Sequence, residues 1–416
     1  MILDLVYLLF ASLNLLATLT ALFRGRALGW LVPPWFLLSL FATELVVVRL
    51  LLRLLVLLIA LLLMGNSVFV SLGHVVLVIA MFGDLAVLRR HFESGKTFER
   101  ALHTGLELDF EGRIPVHRRG HLSHQISAAD WMHPRRFGRP GVRVARDIAY
   151  GPAGKRNLLD IYQPLSAGEG RPVLLHVHGG AWVMGHKAEQ AQPLLHHMTS
   201  LGWVCVSINY RLSPRATFPD HIIDVKRSIA WVRENIASYT GDPEFIAITG
   251  GSAGGHLASL AALSAGATDW QPGFEEADTS IQAAMTLYGC YDLRDRFGIR
   301  HRNRIDRPVG KALMKVSKES EPELWDRASP MSWVSENAPS FFVIQGTHDT
   351  LIWVEEARRF VAELSSVSQQ SVVYAELEGA QHAFDIVHSP RTSHYLNAAS
   401  WWLEWAYADW QAKNSR

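Results

Sequence analysis

Ile246-Ala-Ile-Thr-Gly-Gly-Ser-Ala-Gly-Gly-His256 is the stretch of this 416-residue chain that predicts most about its fold. Its first three residues form a short apolar run typical of a buried parallel strand, and the residues after it have helical apolar spacing. Glycines surround Ser252 between these elements, so the strand and the helix can approach closely behind the serine. Strand, Gly-x-Ser-x-Gly and helix in this order indicate a nucleophilic serine on a sharp turn. The alternative is a loop without chemistry, because the bare pattern often arises by chance.

Two later strand-like runs supply the partners that a nucleophilic serine needs. The run from Phe341 ends in a turn that carries Asp349, and the run from Val372 leads into a loop that carries His382. We predict Ser252 as the nucleophile, His382 as the general base, and Asp349 as the acid that orients the imidazole. Each of the three lies just past a predicted strand, in the chain order serine, aspartate, histidine.

An oxyanion hole is predicted after the apolar run Pro172–Val177. The loop that follows it begins with His178 and continues with three small residues whose backbone N–H groups can turn toward a developing oxyanion. The N–H of the residue after the nucleophile completes the hole, and His178 is expected to support the loop by hydrogen bonds. The predicted donors are Gly179, Gly180, Ala181 and Ala253.

Two residues compete with the predicted acid and base. His348 is adjacent to Asp349, but neighbours in one turn point apart, so we do not expect it to serve as the base. Asp385 follows His382 and would break the expected chain order. The prediction of Asp349 and His382 therefore stands over both alternatives.

Five motifs together resemble one family: His178–Trp182, Asn209–Pro214, Gly250–Gly255, His348–Leu351 and Gln381–Phe384. They are similar to those of the hormone-sensitive lipase family of α/β-hydrolases, and more narrowly of its bacterial membrane-anchored lipases and esterases. The resemblance covers roughly residues 140–410. It implies an α/β fold, with a mainly parallel eight-stranded sheet and helices on both faces. It also implies a serine carboxylesterase or lipase that hydrolyses apolar esters through an acyl-enzyme.

Other activities stay open at this point. Where the family usually has a third glycine after the histidine, this chain has Ala181, so esters of bulky tertiary alcohols are less expected as substrates. The segment Asn157–Pro164 also resembles isoprenylcysteine methylesterases and kynurenine formamidases. A methylesterase and an amide or formamide hydrolase are therefore alternatives. A non-catalytic, ligand-binding member of the fold is disfavoured by the presence of His382.

The first 90 residues predict a membrane anchor of about three helices, with apolar spans near residues 2–23, 36–63 and 68–88. Spans of this length suffice to cross a bilayer. We do not expect a cleaved signal peptide, because the chain lacks a basic start and a small-residue cleavage site before Arg24. Glu44, Arg49 and Arg53 lie within the second span. We expect them to pair inside the bundle or to reach an interface, with lipid or substrate handling as the alternative.

Basic residues predict the orientation of this anchor. Arg24 and Arg26 follow the first span and Arg89 and Arg90 follow the last, whereas the turn Gly65–Ser67 carries no charge. With three spans, both basic segments lie on one side, which the positive-inside rule makes cytoplasmic. We therefore expect a multi-pass membrane protein with its catalytic domain on the cytoplasmic side. Two or four spans would reverse this orientation.

The rest of the chain predicts a connector and a catalytic domain. Residues 91–144 are expected to form a solvated linker that packs partly as a lid, with contact to anionic headgroups as the alternative. Strands and amphipathic helices alternate over 145–412, with a family cap insertion near 292–328 that is expected to form the acyl pocket. A chain starting near Asp130 is expected to be soluble and active on small esters. The basic residues of the cap are Arg294, Arg296, Arg300, Arg302, Arg304 and Arg307.

Composition limits the partners and cofactors. A net charge of +1 gives no reason to expect a nucleic acid partner. Cys205 and Cys290 lie in apolar strand-like runs, so we expect buried thiols rather than a disulfide framework. His176 and His178 lack acidic or cysteine partners at ligand spacing, so no metal is expected, and the predicted mechanism needs no cofactor. The expected partners are a small-molecule or lipid ester and the lipid bilayer. The oligomeric state stays open.

Overall fold

A computed structural model of the chain describes residues 1–25, 31–107, 109–120, 122, 128–299 and 309–414. Five arginines used in the sequence analysis lie outside these ranges: Arg26, Arg300, Arg302, Arg304 and Arg307. The central sheet consists of β1 (Val142–Ala149), β2 (Leu158–Pro164), β3 (Arg171–Val177), β4 (Val204–Ile208), β5 (Gly241–Gly251), β6 (Ala283–Leu287), β7 (Ser340–Gly346) and β8 (Val372–Leu377).

These eight strands form one sheet in the order β1-β2-β4-β3-β5-β6-β7-β8. β2 pairs antiparallel with both β1 and β4. All pairs from β4 to β8 are parallel, so the carboxyl ends of β3, β5, β7 and β8 lie at the same edge. The predicted mainly parallel, eight-stranded sheet is confirmed.

The α-helices in the described part of the chain vary in length, and some are only one turn long. They are α1 (Ile2–Leu22), α2 (Val32–Glu44), α3 (Val46–Leu63), α4 (Val68–Gly105), α5 (Phe110–Arg113), α6 (Val116–Arg119), α7 (Ala128–Met132), α8 (Gln192–Ser200), α9 (Asp220–Asn235), α10 (Ala253–Leu263), α11 (Pro322–Arg327), α12 (Val354–Val367) and α13 (Pro390–Asn414). Short 3-10 turns lie at Gly154–Asn157, Ile236–Tyr239, Thr268–Trp270 and Pro330–Trp333, and a π-helical turn lies at Gly310–Met314.

Alternate residues of the buried strands pack into two hydrophobic cores, one on each face of the sheet. Leu175 of β3 packs with Leu257 of α10, in the core that also contains α9 and α12. The neighbouring Leu174 packs into the opposite core with Trp402 of α13, together with α8 and the second half of α4. This alternation follows from the two-residue period of a strand, which sends successive side chains to opposite faces. Cys205 and Cys290 are both buried and form no disulfide.

Three helices of the N-terminal region, α1, α3 and α4, are long and apolar enough to cross a membrane. The predicted second span, 36–63, is wrong in one respect, because Leu45 leaves the helical conformation and separates α2 from α3. At 13 residues, α2 is about 20 Å long, which is shorter than the roughly 30 Å hydrocarbon core of a bilayer. The second candidate span is therefore Val46–Leu63.

The charged residues in this bundle have partners. Asp84 of α4 is fully buried and forms ion pairs with both Arg49 and Arg53 of α3. Arg53 also donates to the side chains of Asn14, at 3.0 Å, and Thr18, at 2.8 Å. The two arginines are thus paired within the bundle, as the sequence analysis expected. Glu44 is different, because it pairs outside the bundle.

The predicted connector, 91–144, does not begin with a solvated linker. Helix α4 runs on through residue 90 to Gly105, and Phe98 in its second half packs edge-on against Phe342 of β7, with ring centroids 6.3 Å apart. Phe110, Ile114 and Leu122 join the same core. The first half of the connector therefore belongs to the hydrophobic core of the catalytic domain. The basic clusters at 117–121 and 134–140 favoured the prediction of a solvated linker, so the apolar spacing before them was not recognised.

Candidate active site

Ser252 occupies a sharp turn between β5 and α10. Its φ of +58° lies in a region that non-glycine residues rarely adopt, and such strain concentrates at functional sites. Glycine is required on both sides: a Cβ on Gly254 would lie 2.0 Å from the Val177 carbonyl oxygen, and one on Gly250 would lie 2.5 Å from the Gly254 carbonyl carbon. Ser252 is partly exposed, whereas Gly251 and Ala253 are buried. The turn thus presents the serine at the carboxyl edge of the sheet.

Asp349 and His382 meet at this same edge, in the loops after β7 and β8. Nδ1 of His382 lies 2.7 Å from Oδ2 of Asp349, and both side chains are buried. The other carboxylate oxygen accepts the backbone N–H groups of Leu351 and Ile352, each at 2.8 Å. The side-chain amide of Gln345 donates to Oδ2 at 3.0 Å. Donors of this kind stabilise an ionised carboxylate and fix its direction toward the imidazole.

The loops that carry the predicted acid and base are also joined to each other. Oε1 of Gln381 accepts the backbone N–H groups of Thr350, at 2.9 Å, and of His382, at 2.9 Å. The Gln381 side chain therefore joins the turn after Asp349 to the backbone of His382. Gln381 lies in one of the five sequence motifs, but the motif alone indicated no role for it.

Tyr288, the residue directly after β6, packs against both the serine turn and His382. Its ring centroid is 4.6 Å from that of His382, and a Cβ on Gly251 would lie 2.6 Å from its hydroxyl oxygen. The Tyr288 hydroxyl donates to the buried Asp385. Asp385, the competing acid, is thus engaged by Tyr288, whereas Asp349 contacts His382. Tyr288 was missed in the sequence, although its place just past a strand at this edge was a usable signal.

The loop after β3 lies beside the serine turn. The N–H of Gly179 donates to Oε1 of Gln190 at 2.7 Å, so this predicted donor is engaged elsewhere. A Cβ on Gly179 would lie 3.2 Å from the Ser252 Cβ, so the residue instead provides room beside the serine. Within the described residues, the N–H groups of Gly180, Ala181 and Ala253 have no protein acceptor. These three are available to an oxyanion.

His178 supports this loop through hydrogen bonds and through ring stacking on Tyr210. Its Nδ1 lies 2.8 Å from the Gly179 carbonyl oxygen, and its ring stacks on Tyr210 with centroids 4.4 Å apart. The Tyr210 hydroxyl donates to the His178 carbonyl at 2.9 Å. Burial lowers the pKa of His178 to about 4, so the imidazole is neutral near pH 7 and adds no charge beside the predicted oxyanion hole.

His348, the competing base, lies on the far side of its turn. Its imidazole hydrogen-bonds to the backbone of Ala21 at the end of α1, and burial lowers its pKa to about 4. Its backbone N–H donates to the Ala380 carbonyl oxygen at 3.0 Å. The contact with Asp349 is made by His382 and not by its sequence neighbour.

An N-terminal residue also reaches this site. Phe36 of α2 packs edge-on against His382, with ring centroids 6.0 Å apart and planes at 76°. In the sequence, Phe36 lies at the start of a predicted membrane span, and no part in the site was predicted for it. No local sequence signal connects it with a histidine that lies more than three hundred residues later.

Comparisons with known proteins identify the family of the chain. The family model described as BD-FAE matches residues 159–364. The probable carboxylic ester hydrolase LipM of Mycobacterium tuberculosis (strain ATCC 25618 / H37Rv) is 46% identical over 297 residues, which cover 68% of this chain and 69% of that protein. The fold is that of an α/β-hydrolase. The chain belongs to the hormone-sensitive lipase family of these enzymes, and it is a carboxylic ester hydrolase.

Two further comparisons concern the fold and the alternative activity. The crystal structure of a C6-C4 SN3 inhibited esterase B from Lactobacillus rhamnosis matches with a TM-score of 0.57 at 17% identity, over 69% of this chain and 93% of that chain. This likeness shows the fold alone. The probable isoprenylcysteine alpha-carbonyl methylesterase ICMEL1 of Oryza sativa subsp. japonica is 31% identical over 263 residues, or 60% of this chain and 59% of that protein. The methylesterases are thus the more distant relatives.

Proposed function

We propose that this chain is a membrane-anchored serine esterase or lipase that hydrolyses apolar carboxylic esters through Ser252, His382 and Asp349. The observation that carries the proposal is the 2.7 Å contact between His382 and Asp349 at the sheet edge where the strained Ser252 turn opens. A nucleophile, a base and an orienting acid on three separate loops constitute the arrangement that acyl transfer requires.

The proposed reaction begins with proton transfer from the Ser252 hydroxyl to Nε2 of His382. The serine oxygen attacks the ester carbonyl, and Asp349 stabilises the imidazolium that forms. The N–H groups of Gly180, Ala181 and Ala253 bind the negative oxygen of the tetrahedral intermediate. Each such donor contributes about 3 kcal/mol to the stability of the transition state. The hydrogen bonds that Asp349 accepts from Gln345, Leu351 and Ile352 support this role, because they fix the carboxylate toward the imidazole.

The intermediate then collapses to an acyl-enzyme. His382 gives its proton to the departing alcohol, and the acyl group remains on Ser252. A water molecule that His382 deprotonates attacks the acyl carbonyl, and the carboxylic acid leaves as the serine regains its proton. Every step uses groups that this chain supplies, so the proposal includes no cofactor.

An amide or formamide hydrolase would use the same three residues. We test the preference with the full-length protein in detergent micelles, using a series of p-nitrophenyl esters and the matched p-nitroanilide and formanilide. Esters are expected to give the higher kcat/KM, because an alkoxide or phenolate leaves more readily than an amine. A higher kcat/KM for the formanilide than for every ester would overturn the assignment in favour of the alternative.

The proposed membrane topology has three spans, with the catalytic domain on the cytoplasmic side. Arg90 of α4 donates to the Leu22 carbonyl oxygen at 3.0 Å, so the end of α1 lies beside this part of α4. Arg24 forms two 3.1 Å hydrogen bonds with Glu355 of the catalytic domain. These contacts support a bundle with its basic end toward the catalytic domain, and the positive-inside rule makes that side cytoplasmic.

A reporter fused after Arg416 tests this topology in a bacterial host. A fluorescent protein that matures only in the cytoplasm is expected to fluoresce, and an export-dependent alkaline phosphatase at the same position is expected to be inactive. The same pair fused after Asn66 is expected to give the opposite result, because the turn between α3 and α4 would lie across the membrane. Phosphatase activity at Arg416 would contradict the proposed orientation.

A further inference from the structure

Helix α2 has two different faces, one toward the active site and one toward the outside. Phe36 turns inward and packs against His382. Leu37, Leu38 and Phe41 are 48%, 41% and 44% exposed. The polar residues of the helix, Ser39, Thr43 and Glu44, are all buried. An exposed face of large apolar side chains suits lipid rather than water.

The length and position of α2 suit a membrane interface. The helix is too short to span the hydrocarbon core, and helices of this length are typical of interfacial or re-entrant segments. It follows the end of α1, which contacts the catalytic domain through Arg24, and it precedes α3. Both of its ends therefore lie on the catalytic side of the bundle.

A buried ion pair fixes α2 to the loop that carries the base. The Glu44 carboxylate accepts the Ser389 hydroxyl at 2.8 Å and also the Arg391 guanidinium. Ser389 and Arg391 stand at the start of α13, where the His382 loop ends. All three side chains are buried. These contacts fasten α2 to the loop, and Phe36 of the same helix covers the imidazole of His382.

We propose that α2 is the lipid-facing wall of the acyl-binding site and that Phe36 determines which acyl chains reach Ser252. The proposal rests on the proposed function, since it requires Ser252 and His382 to be the reacting groups. The substrates are esters of fatty acids that partition into the bilayer. Their acyl chains enter from the interface beside α2 and pass Phe36 before the carbonyl reaches the serine.

The described part of the expected cap, 292–328, contacts α10 and other residues of the same segment. In the part of the cap segment that the structure describes, the Ala328 carbonyl lies 2.7 Å from Nε2 of His256 in α10, and Arg294 pairs with Asp326 within the segment. The ring contact to His382 from outside the catalytic fold comes instead from α2. Acyl-chain selection is therefore assigned to α2 and its Phe36.

The test compares two residues of the same type on the same helix. Full-length Phe36→Ala and the matched control Phe41→Ala are assayed in nanodiscs with p-nitrophenyl butyrate and palmitate. Phe36→Ala opens the wall, so the butyrate loses its packing partner while the palmitate chain fills the space. The ratio of kcat/KM for palmitate to that for butyrate is expected to rise about tenfold, mainly through the KM for butyrate. Phe41→Ala, which alters the lipid-facing side, is expected to keep the wild-type ratio.

A second variant keeps the proposal testable if the cavity in Phe36→Ala prevents folding. Phe36→Trp narrows the entrance and is expected to lower the same ratio by about tenfold. Labelling of Ser252 by a fluorophosphonate counts the folded active sites in every sample. A wild-type ratio in labelled Phe36 variants would overturn the role of α2 and leave the proposed function intact. Absence of labelling at Ser252 in the wild-type protein would instead overturn the proposed function.

Discussion

Ser252→Ala is expected to lower kcat for ester hydrolysis by about 10⁴- to 10⁶-fold, the loss that follows removal of a triad nucleophile. The protein is expected to remain folded, because the Ser252 side chain is partly exposed and its backbone N–H, which donates to Leu287 at 3.0 Å, is unchanged. The measurement is kcat with p-nitrophenyl butyrate, with fluorophosphonate labelling and the melting temperature recorded on the same sample. Full activity, or a label on another serine, would contradict the assignment.

His348, which is adjacent to Asp349 in the sequence, provides a control for the assignment of His382 as the base. His382→Ala is expected to cost about as much activity as Ser252→Ala, and the double variant little more, because the triad acts as a unit. His348→Ala is the matched change, one residue from Asp349, in a side chain that bonds to Ala21. It is expected to keep kcat within about threefold of the wild-type value, as for a side chain away from the reacting atoms. The opposite ranking would show that the base is wrongly assigned.

The serine turn and the order of the acid and base were predictable because their signals are local. A buried parallel strand is a short apolar run, and each predicted residue follows such a run by a few positions. Parallel pairing then brings the carboxyl ends of β5, β7 and β8 to one edge without any further information. Gly250 and Gly254 were predictable for a similar reason, since a close crossing of strand and helix requires glycine.

The contributions of the N-terminal region were not predictable, because an apolar run does not reveal what covers it. The same residues suit a lipid-facing span, a buried helix and a pocket wall, so Phe36 gave no sign of its contact with His382. Glu44 resembled a misplaced charge in a span because its partner, Arg391, lies 347 residues away in the chain. The use of the Gly179 N–H by Gln190 also depends on the folded loop and not on the motif.

A chain that begins near Asp130 was expected from the sequence to be soluble and active, and the structure leads to the opposite expectation. Such a chain lacks buried apolar side chains of the catalytic core, among them the five residues Phe98, Leu102, Phe110, Ile114 and Leu122. At about 1.5–3 kcal/mol for each, their loss removes roughly 7–15 kcal/mol of stabilisation. The free energy of unfolding of a whole domain is about 5–15 kcal/mol, so we expect this chain to aggregate or to lack a cooperative melting transition.

A chain that begins at Arg89 tests whether this packing, rather than the membrane spans, is what the catalytic domain needs. It keeps the second half of α4 and all five core residues. It loses Glu44, so this chain also carries the substitution Arg391→Leu, which avoids a buried, unpaired charge. We expect it to melt cooperatively in thermal denaturation followed by circular dichroism. We also expect a fluorophosphonate to label Ser252 in this chain, although the chain lacks α2 and its Phe36. If the chain from Asp130 melts at the same temperature as the chain from Arg89, residues 89–129 are dispensable and the calculated loss does not apply. The expected result instead makes the end of α4 an integral part of the catalytic domain, joined covalently to a candidate membrane span.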